Sequence, residues 1–314
     1  MQWAARRASA RGVGMFVLGM CLCGTSTAET ARLVAQEQLS PTTWAMTLKL
    51  PPGEIVQGPV FLEPPAPPDR ELEEETQPRR PPIDDGVFIP PPQAAETRGD
   101  PIKSLAPDAA GTTVILRDTT LAAPSGYTSS VNEPNIASQG DGLFVTHNWY
   151  AAISTNGGSS FTYVSPYSLF PATGSFAGGF CCDQRVALDS SRNLIFWYLQ
   201  YVKTADTASG TNGVRIAVAH GQAGLATNTW QIHDFTPAQF SLSGKWFDFP
   251  HMQVSANYLY FTTNIFTSDT DAFYGTLVVR MPLAQLDSNS ALTIHSYLST
   301  SDFTFAPVNG AGAE

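Results

Sequence analysis

Cysteine, positive charge and long apolar runs are all scarce in this sequence of 314 residues. The four cysteines and five histidines show no metal-ligand spacing, so we expect no zinc site, no other metal and no cofactor. Lysine and arginine together number 17, against 27 aspartates and glutamates. Nucleic acids and anionic membranes bind clustered positive surfaces, so neither is expected as a partner of this acidic chain.

The longest apolar run lies at the N-terminus, over residues 13–22, and is too short to span a bilayer as a helix. Three arginines precede it, and the small residues 26–28 follow it. This order is typical of a secretory signal peptide, which we assign to residues 1–28. We therefore expect a secreted or periplasmic protein without a membrane span after cleavage, with 27 acidic and 14 basic residues, a net charge of −13.

Signal cleavage would leave two cysteines, Cys181 and Cys182, which are adjacent in sequence. In an oxidising compartment they would form a vicinal disulfide that stiffens the loop before a strand. The alternative is a pair of buried thiols that pack as small apolar side chains.

A proline-rich arm follows the signal peptide over residues 29–110. Fifteen of the 24 prolines fall between Pro51 and Pro107. Proline cannot donate to a strand ladder, and this composition offers little apolar surface to bury. We predict a disordered, extended linker in which only residues 43–50 have the character of an isolated strand. The alternative is a docking tail for a proline-recognising or envelope partner.

The composition of the sequence changes at Thr112. From there on β-branched and aromatic residues are frequent, and no helical periodicity is present. Short apolar runs alternate with Gly, Asn, Asp and Ser clusters, which predicts an all-β domain over residues 111–314. Three segments repeat one layout of four strands, with openings at Pro134, Gln184 and Pro250. A fourth opening is predicted at residues 305–308. Repeating four-stranded units favour a β-propeller over a β-sandwich.

One octet, residues 154–161, lies between two strand-like runs and contains the turn signal Asn-Gly-Gly. It resembles the Asp-box, Ser-x-Asp-x-Gly-x-Thr-Trp, of sialidase-like (bacterial neuraminidase repeat) β-propellers. The resemblance implies a propeller fold with this box in a structural turn between the outer strands of a blade. The matching or chemically similar residues are Ser154, Asn156, Gly158, Ser160 and Phe161.

About three blades fit in the sequence, whereas propellers close with about four to eight. Residues 112–117 would serve as a closing strand, but about half of the ring is still missing. We therefore expect a truncated gene product or a partial sequence. Self-assembly of two or more copies is the alternative if the chain ends at Glu314.

Polar and aromatic residues near the openings of the innermost strands are the candidate ligand-binding residues, because propeller loops converge there on the channel. Carboxylates, one arginine and aromatic rings suit a carbohydrate. The alternative for each is structural: the polar residues cap loop N–H groups, and the aromatics pack between blades. The candidates are Glu133, Asn135, Asp183, Arg185, Asp248, His251, Trp149 and Trp246.

The resemblance to sialidases would imply an arginine triad, a Tyr–Glu nucleophile pair and an Asp acid/base, but none of these carries over by motif. Only five arginines follow Thr112, and no Arg-Ile-Pro motif is present. The sequence therefore predicts a secreted binding or scaffold module, for a glycan or another extracellular protein. A glycoside hydrolase of sialidase type is the alternative, and the catalytic residues are unassigned.

Overall fold

The computed structural model describes residues 46–64, 133–170 and 172–308, all within one compact unit, Ser40–Glu314. These residues are predominantly β, as the sequence predicts. The strands are β1 (Met46–Leu50), β2 (Glu54–Gln57), β3 (Asn135–Gln139), β4 (Gly142–Thr146), β5 (Ala151–Ser154), β6 (Thr162–Val164), β7 (Phe180–Asp189), β8 (Leu194–Tyr201), β9 (Val214–His220), β10 (Thr229–Phe235), β11 (Lys245–Val254), β12 (Tyr258–Thr267), β13 (Phe273–Pro282) and β14 (Leu292–Ser299). The short helices are α1 (Pro166–Leu169), α2 (Gly221–Ala226) and α3 (Leu283–Asp287), and 3₁₀ turns occupy Gly174–Phe176 and Pro237–Phe240.

Three antiparallel sheets contain these strands, and each includes four strands that run up and down in chain order. These are β3–β4–β5–β6 in sheet 1, β7–β8–β9–β10 in sheet 2 and β11–β12–β13–β14 in sheet 3, while β2 and β1 are the fifth strands of sheets 2 and 3. The first strand of sheet 2, β7, contacts both β3 and β11. The first strands are therefore the inner strands of the three sheets, and β6, β10 and β14 are the outer ones. The four-strand layout of each predicted repeat corresponds to one sheet.

Two hydrophobic cores lie on the two faces of sheet 2. Every residue of β8 is buried, because alternate side chains of a strand point to opposite faces and both faces are covered. Trp197 packs against Phe144 of sheet 1 and Trp230, with ring centroids about 5 Å apart. Tyr198 faces the other way, toward Phe261 of sheet 3. Burial of such side chains contributes about 1.5–3 kcal/mol each, so these rings fix the packing of the sheets.

The N-terminal segment differs from the predicted disordered linker over residues 46–64. Strand β1 pairs with the outer strand β14 of sheet 3, and β2 pairs with the outer strand β10 of sheet 2. Phe61 then bridges to Tyr163 of β6 in sheet 1. The prolines lie between the paired strands, where no ladder hydrogen bond is lost, so a proline-rich composition is compatible with strand pairing here.

The predicted fourth opening, residues 305–308, forms no strand. The side chains of β12 bind the backbone there: Asn264 Oδ1 accepts from Thr304 N at 3.1 Å, and the Thr262 hydroxyl donates to Phe305 O. The predicted signal peptide, the closing strand 112–117 and the rest of the arm lie outside the described residues. Within the described ranges, no helix has the length and apolar character needed to cross a bilayer.

Candidate functional site

Two inner strands are irregular where they open. In β7 the register with β8 shifts between Cys181 and Gln184, and in β11 the register with β12 shifts between Asp248 and His251. Phe249 has a φ of 52° within this second bulge. A bulky residue with positive φ costs of the order of 1–3 kcal/mol, and such strain is common at functional sites. Bulges also redirect neighbouring side chains.

Arg185 links the inner strands of the three sheets. Its Nη2 lies 3.5 Å from Glu133 Oε2 beside sheet 1, and its Nε donates to Pro250 O of β11 at 2.9 Å. The Arg185 side chain is 21% exposed and that of Glu133 is 32% exposed, but Glu133 Oε2 is buried, so both side chains reach solvent while the contact between them is desolvated. Asn135, the next candidate, accepts a hydrogen bond from Val186 N at 3.3 Å and so joins β3 to β7.

Asp248 is a buried carboxyl group beside this ion pair. Gln200 Nε2 donates to its Oδ1 at 2.7 Å. Burial, with a smaller contribution from the charge of Glu133, raises the pKa of Asp248 to about 6 against the lowering effect of the Gln200 hydrogen bond. The carboxyl group of Asp248 therefore changes its protonation state just below neutral pH, whereas most aspartates are fully ionised there.

The hydroxyl of Tyr198 lies beneath the same group of charges. Burial raises its pKa well above the ordinary value, and the charges of Asp183, Asp248 and Arg185 all act on it. His251 is near the ion pair as well: burial lowers its pKa, with Arg185 lowering it and Glu133 raising it. We call Glu133, Asp183, Arg185, Asp248 and His251 the inner-strand cluster. It combines three carboxyl groups with one guanidinium.

The two tryptophan candidates have different surroundings. Trp149 is half-buried in the β4–β5 loop, next to Asn148, whose Oδ1 accepts from Glu133 N at 3.3 Å. Its indole N–H has no hydrogen-bond partner among the described residues. Trp246 instead donates to Asp271 at 3.0 Å, and Lys203 Nζ lies 5.2 Å from its ring centroid. One face of Trp246 is therefore already covered.

Further aromatic rings, which were not among the predicted candidates, surround the bulge at Phe249. Phe249 and Phe303 have ring centroids 6.0 Å apart, and Phe303 and Phe273 are 5.0 Å apart. All three rings are half-buried rather than part of the closed cores. They form an aromatic surface next to Asp248.

The other described arginines that follow Thr112 in the sequence do not join the inner-strand cluster. Arg192 pairs with Asp189 at 2.7 Å in the β7–β8 hairpin, at the opposite end of the strands. Arg215 makes a two-point ion pair with Asp234 at 2.7 and 2.8 Å. Arg280 lies over the ring of Tyr258, 4.6 Å from its centroid. The described residues thus contain no arginine triad.

The Asp-box-like octet forms the turn between β5 and β6, the outer strands of sheet 1. Ser154 Oγ donates to Asn156 Oδ1 at 2.9 Å and accepts from Gly158 N at 2.8 Å. Asn156 Oδ1 also accepts from Ser160 N at 3.0 Å. Gly158 has a φ of 81°, which requires glycine, and Phe161 packs beside Tyr163. The octet lies at the end of the sheet opposite the inner-strand cluster.

Cys181 takes part in a disulfide. The side chain of Cys182 lies outside the described residues, so the vicinal pairing stays a prediction. In the part of the chain that the structure describes, no group of three acidic, histidine or cysteine side chains is arranged to hold a metal ion. A shallow depression of about 250 Å³ lies elsewhere, between Pro51 and His233, on the outer side of sheet 2.

Sequence reasoning missed Gln200 and Tyr198. Both lie in β8, whose sequence is otherwise a continuous apolar run. The one signal in the sequence is that the polar residue Gln200 interrupts this run near the end of the strand. The Oε1 atom of Gln200 is buried without a partner among the described residues. A bulge that turns Asp248 toward Gln200 leaves no pattern in the sequence.

The chain matches no protein-family model, no curated protein and no solved structure.

Proposed function

We propose that the chain is a secreted or periplasmic binding module with a sialidase-like propeller architecture, and that its inner-strand cluster recognises a neutral glycan. Two features support the architecture: three sheets with adjacent inner strands, each with four strands that are consecutive in the chain, and an Asp-box-like turn between the outer strands of sheet 1. The site for the glycan is the inner end of the sheets, where the cluster and the aromatic surface meet.

The choice of a neutral ligand depends on one observation, which is that Arg185 already has partners within the protein. Its guanidinium is already engaged by Glu133 and by Pro250 O, and the cluster has an excess of carboxyl groups. A substrate carboxylate requires a free planar guanidinium fork, so an acidic sugar would meet repulsion here. Hydroxyl groups of a neutral sugar can instead donate to the carboxylate of Glu133, whose side chain is 32% exposed. The rings of Phe249, Phe273 and Phe303 offer the apolar contact that sugar faces make.

A glycan array that carries neutral and sialylated oligosaccharides tests this proposal, with titration calorimetry of the retained ligands. We expect neutral glycans to be retained. Glu133→Gln should weaken binding about tenfold through loss of a charged acceptor, which corresponds to about 1.4 kcal/mol. Asp269→Asn, in the exposed β12–β13 loop, is the matched control and should leave binding unchanged. Preference for sialylated glycans, or unaltered binding by Glu133→Gln, would contradict the proposal.

A glycoside hydrolase is the second candidate, and the pKa of Asp248 near 6 favours it. A carboxylic acid beside a carboxylate is the pair that hydrolyses glycosidic bonds. Release of a chromophore from neutral aryl glycosides, abolished by Asp248→Asn, would establish this activity. Binding without turnover would leave the binding module as the better description. Turnover of a sialoside is not expected, because the described residues provide no arginine triad.

The proposed location rests on the N-terminal sequence pattern. Intact mass of the protein isolated from its native host should show a mature chain that begins at Glu29. An uncleaved N-terminus would contradict secretion by this route.

A further inference from the structure

The outer edges of the three sheets bind one continuous extended segment. We call residues 46–61 the strap. The strap adds β1 to sheet 3 and β2 to sheet 2, and Phe61 exchanges two backbone hydrogen bonds of 2.8 Å with Tyr163 of sheet 1. One segment therefore pairs with an outer strand of every sheet, which is the geometry of peptide recognition by strand addition.

Two asparagines hold the strap backbone between its strands. Asn289 accepts from Gly53 N at 2.7 Å and donates to Gly53 O at 3.1 Å. Asn228 donates to Pro59 O at 3.0 Å. Each asparagine has a φ of 47° and follows a short helix, α3 or α2, ahead of an outer strand. Sheets 2 and 3 thus present, at equivalent positions, an asparagine whose side chain binds the strap backbone.

The sheets also select for glycine at two positions of the strap. A Cβ atom on Gly53 would lie 2.6 Å from Gln231 Cγ and 2.8 Å from Ile232 O. A Cβ atom on Gly58 would lie 2.4 Å from Leu169 Cδ1. A larger residue at Gly53 would push the strap away from the sheet, because the backbone atom Ile232 O cannot move aside, whereas a larger residue at Gly58 would first displace the side chain of Leu169 in α1.

The strap packs on the edges of the cores without entering them. Its partly buried apolar side chains contact the cores: Met46, Leu48, Leu50, Val56 and Phe61. No residue from 46 to 61 is fully buried, and the apolar side chains of Ile55 and Val60 are 59% and 44% exposed. Backbone hydrogen bonds and these partial apolar contacts therefore hold the strap. Such peripheral segments open at lower free energy than core strands.

We propose that the outer edges of the sheets, with Asn228 and Asn289, form a binding track for extended peptides that carry glycine at two positions five residues apart. The strap of the same chain occupies this track. Another extended segment with the same glycine spacing replaces the strap by strand addition, once the tether to the strap is cut. The track is distinct from the inner-strand cluster, so this inference stands apart from glycan recognition.

A protein with a protease site inserted between residues 100 and 101 tests the track in the full chain. The probe is a fluorescent synthetic peptide of residues 46–61, and anisotropy measures its binding. After cleavage the peptide should displace the N-terminal fragment and bind. The uncut protein should bind it at least about tenfold more weakly, because a tethered strap competes at high effective concentration. A peptide with Gly53→Ala should also bind at least about tenfold more weakly than the native peptide.

Asn289→Ala tests the track without disturbing the core. Asn228 is less suitable for substitution, because it also accepts a hydrogen bond of 2.8 Å from the buried indole of Trp230. Asn289→Ala should weaken peptide binding about tenfold, whereas Asn257→Ala in an exposed hairpin should not change binding. Equal binding of the native and Gly53→Ala peptides, or no displacement after cleavage, would overturn the proposal. Hydrogen exchange on the uncut chain provides a second readout. Amides of the strap should exchange well before those of β8, and equal protection would also overturn the proposal.

Discussion

The carboxyl group of Asp248 in sheet 3 accepts a hydrogen bond of 2.7 Å from the side-chain amide of Gln200 in sheet 2. Asp248 is 5% exposed and Gln200 is 2% exposed, so the bond joins two sheets in a desolvated setting. It places an ionisable group where its protonation alters both the stability of the fold and the charge of the inner-strand cluster.

Asp248 should make the protein less stable as pH rises. Its pKa is about 6 in the folded state against 3.8 ordinarily, so the folded chain retains a proton that the unfolded chain has released. The stability from this group is complete below pH 3.8 and is lost as pH rises through 6. From pH 5 to pH 8 the loss is about 1.4 kcal/mol. Urea unfolding of the wild type and Asp248→Asn at both pH values measures it.

The difference in free energy of unfolding between the wild type and Asp248→Asn should change by about 1.4 kcal/mol between the two pH values. Asparagine can still accept the hydrogen bond from Gln200 but does not titrate, so the change reports the proton of Asp248. Asp269→Asn, in an exposed loop, should show no comparable change. A pH-independent difference for Asp248→Asn would show that the carboxyl group is ionised throughout.

His233 should have the opposite effect over the same range. Burial lowers its pKa to about 4 from 6.5, so the unfolded chain binds a proton that the folded chain excludes. The stability from neutral His233 is complete above pH 6.5 and is lost as pH falls through 4. Between pH 8 and pH 5 the loss is about 2 kcal/mol. The variant His233→Gln should abolish this loss in urea unfolding, and a slope equal to that of the wild type would contradict the assignment.

Much of the fold could be predicted from the sequence because strand character is local. Alternation, β-branched residues and turn signals mark the strands of sheets 2 and 3, and the repeat groups them in fours. Residues 46–57 were harder to interpret, because their proline content suggests disorder and their pairing partners, Leu292 and Thr229 among them, are distant in sequence. Long-range pairing of an edge strand leaves no local pattern.

The candidate site was only partly predictable for a related reason. Glu133, Asp183 and Arg185 are polar residues at strand openings, which the repeat identifies. The bulges that bring Asp248 beside Gln200 depend on register, and register is set by packing between sheets rather than by the residues of one strand. Trp246 was a candidate for stacking on a sugar because it is aromatic. In the structure, however, Lys203 lies over its ring and its indole N–H donates to Asp271, and both residues are distant in sequence.

Replacement of Arg215 by lysine should destabilise the fold despite conserving charge. The guanidinium makes two hydrogen bonds to Asp234 and lies about 5 Å from the rings of Phe170 and Phe176. Lysine cannot reproduce the planar two-point contact or the stacking, so we expect a loss of about 2 kcal/mol in the free energy of unfolding.

Arg192→Lys is the matched control, because Arg192 meets Asp189 through a single nitrogen atom that an ammonium group can replace. Its loss should stay below about 0.5 kcal/mol. Chemical unfolding of both variants measures these losses. Equal losses in the free energy of unfolding would show that the two-point geometry of Arg215 does not add to stability.

Asn156 should stabilise the β5–β6 turn through its side chain. Its side chain accepts from Ser154 Oγ and Ser160 N and donates to Ser160 Oγ at 2.8 Å. Asn156→Ala removes all three bonds and should lower the free energy of unfolding by about 1–2 kcal/mol. Asn156→Asp keeps both acceptor contacts and should lose less, while Thr155→Ala, at an exposed position, should stay within about 0.5 kcal/mol of the wild type. Urea unfolding at pH 7 ranks the three variants. If Asn156→Asp were as damaging as Asn156→Ala, the turn would depend on the amide donor and its likeness to the Asp-box would be superficial.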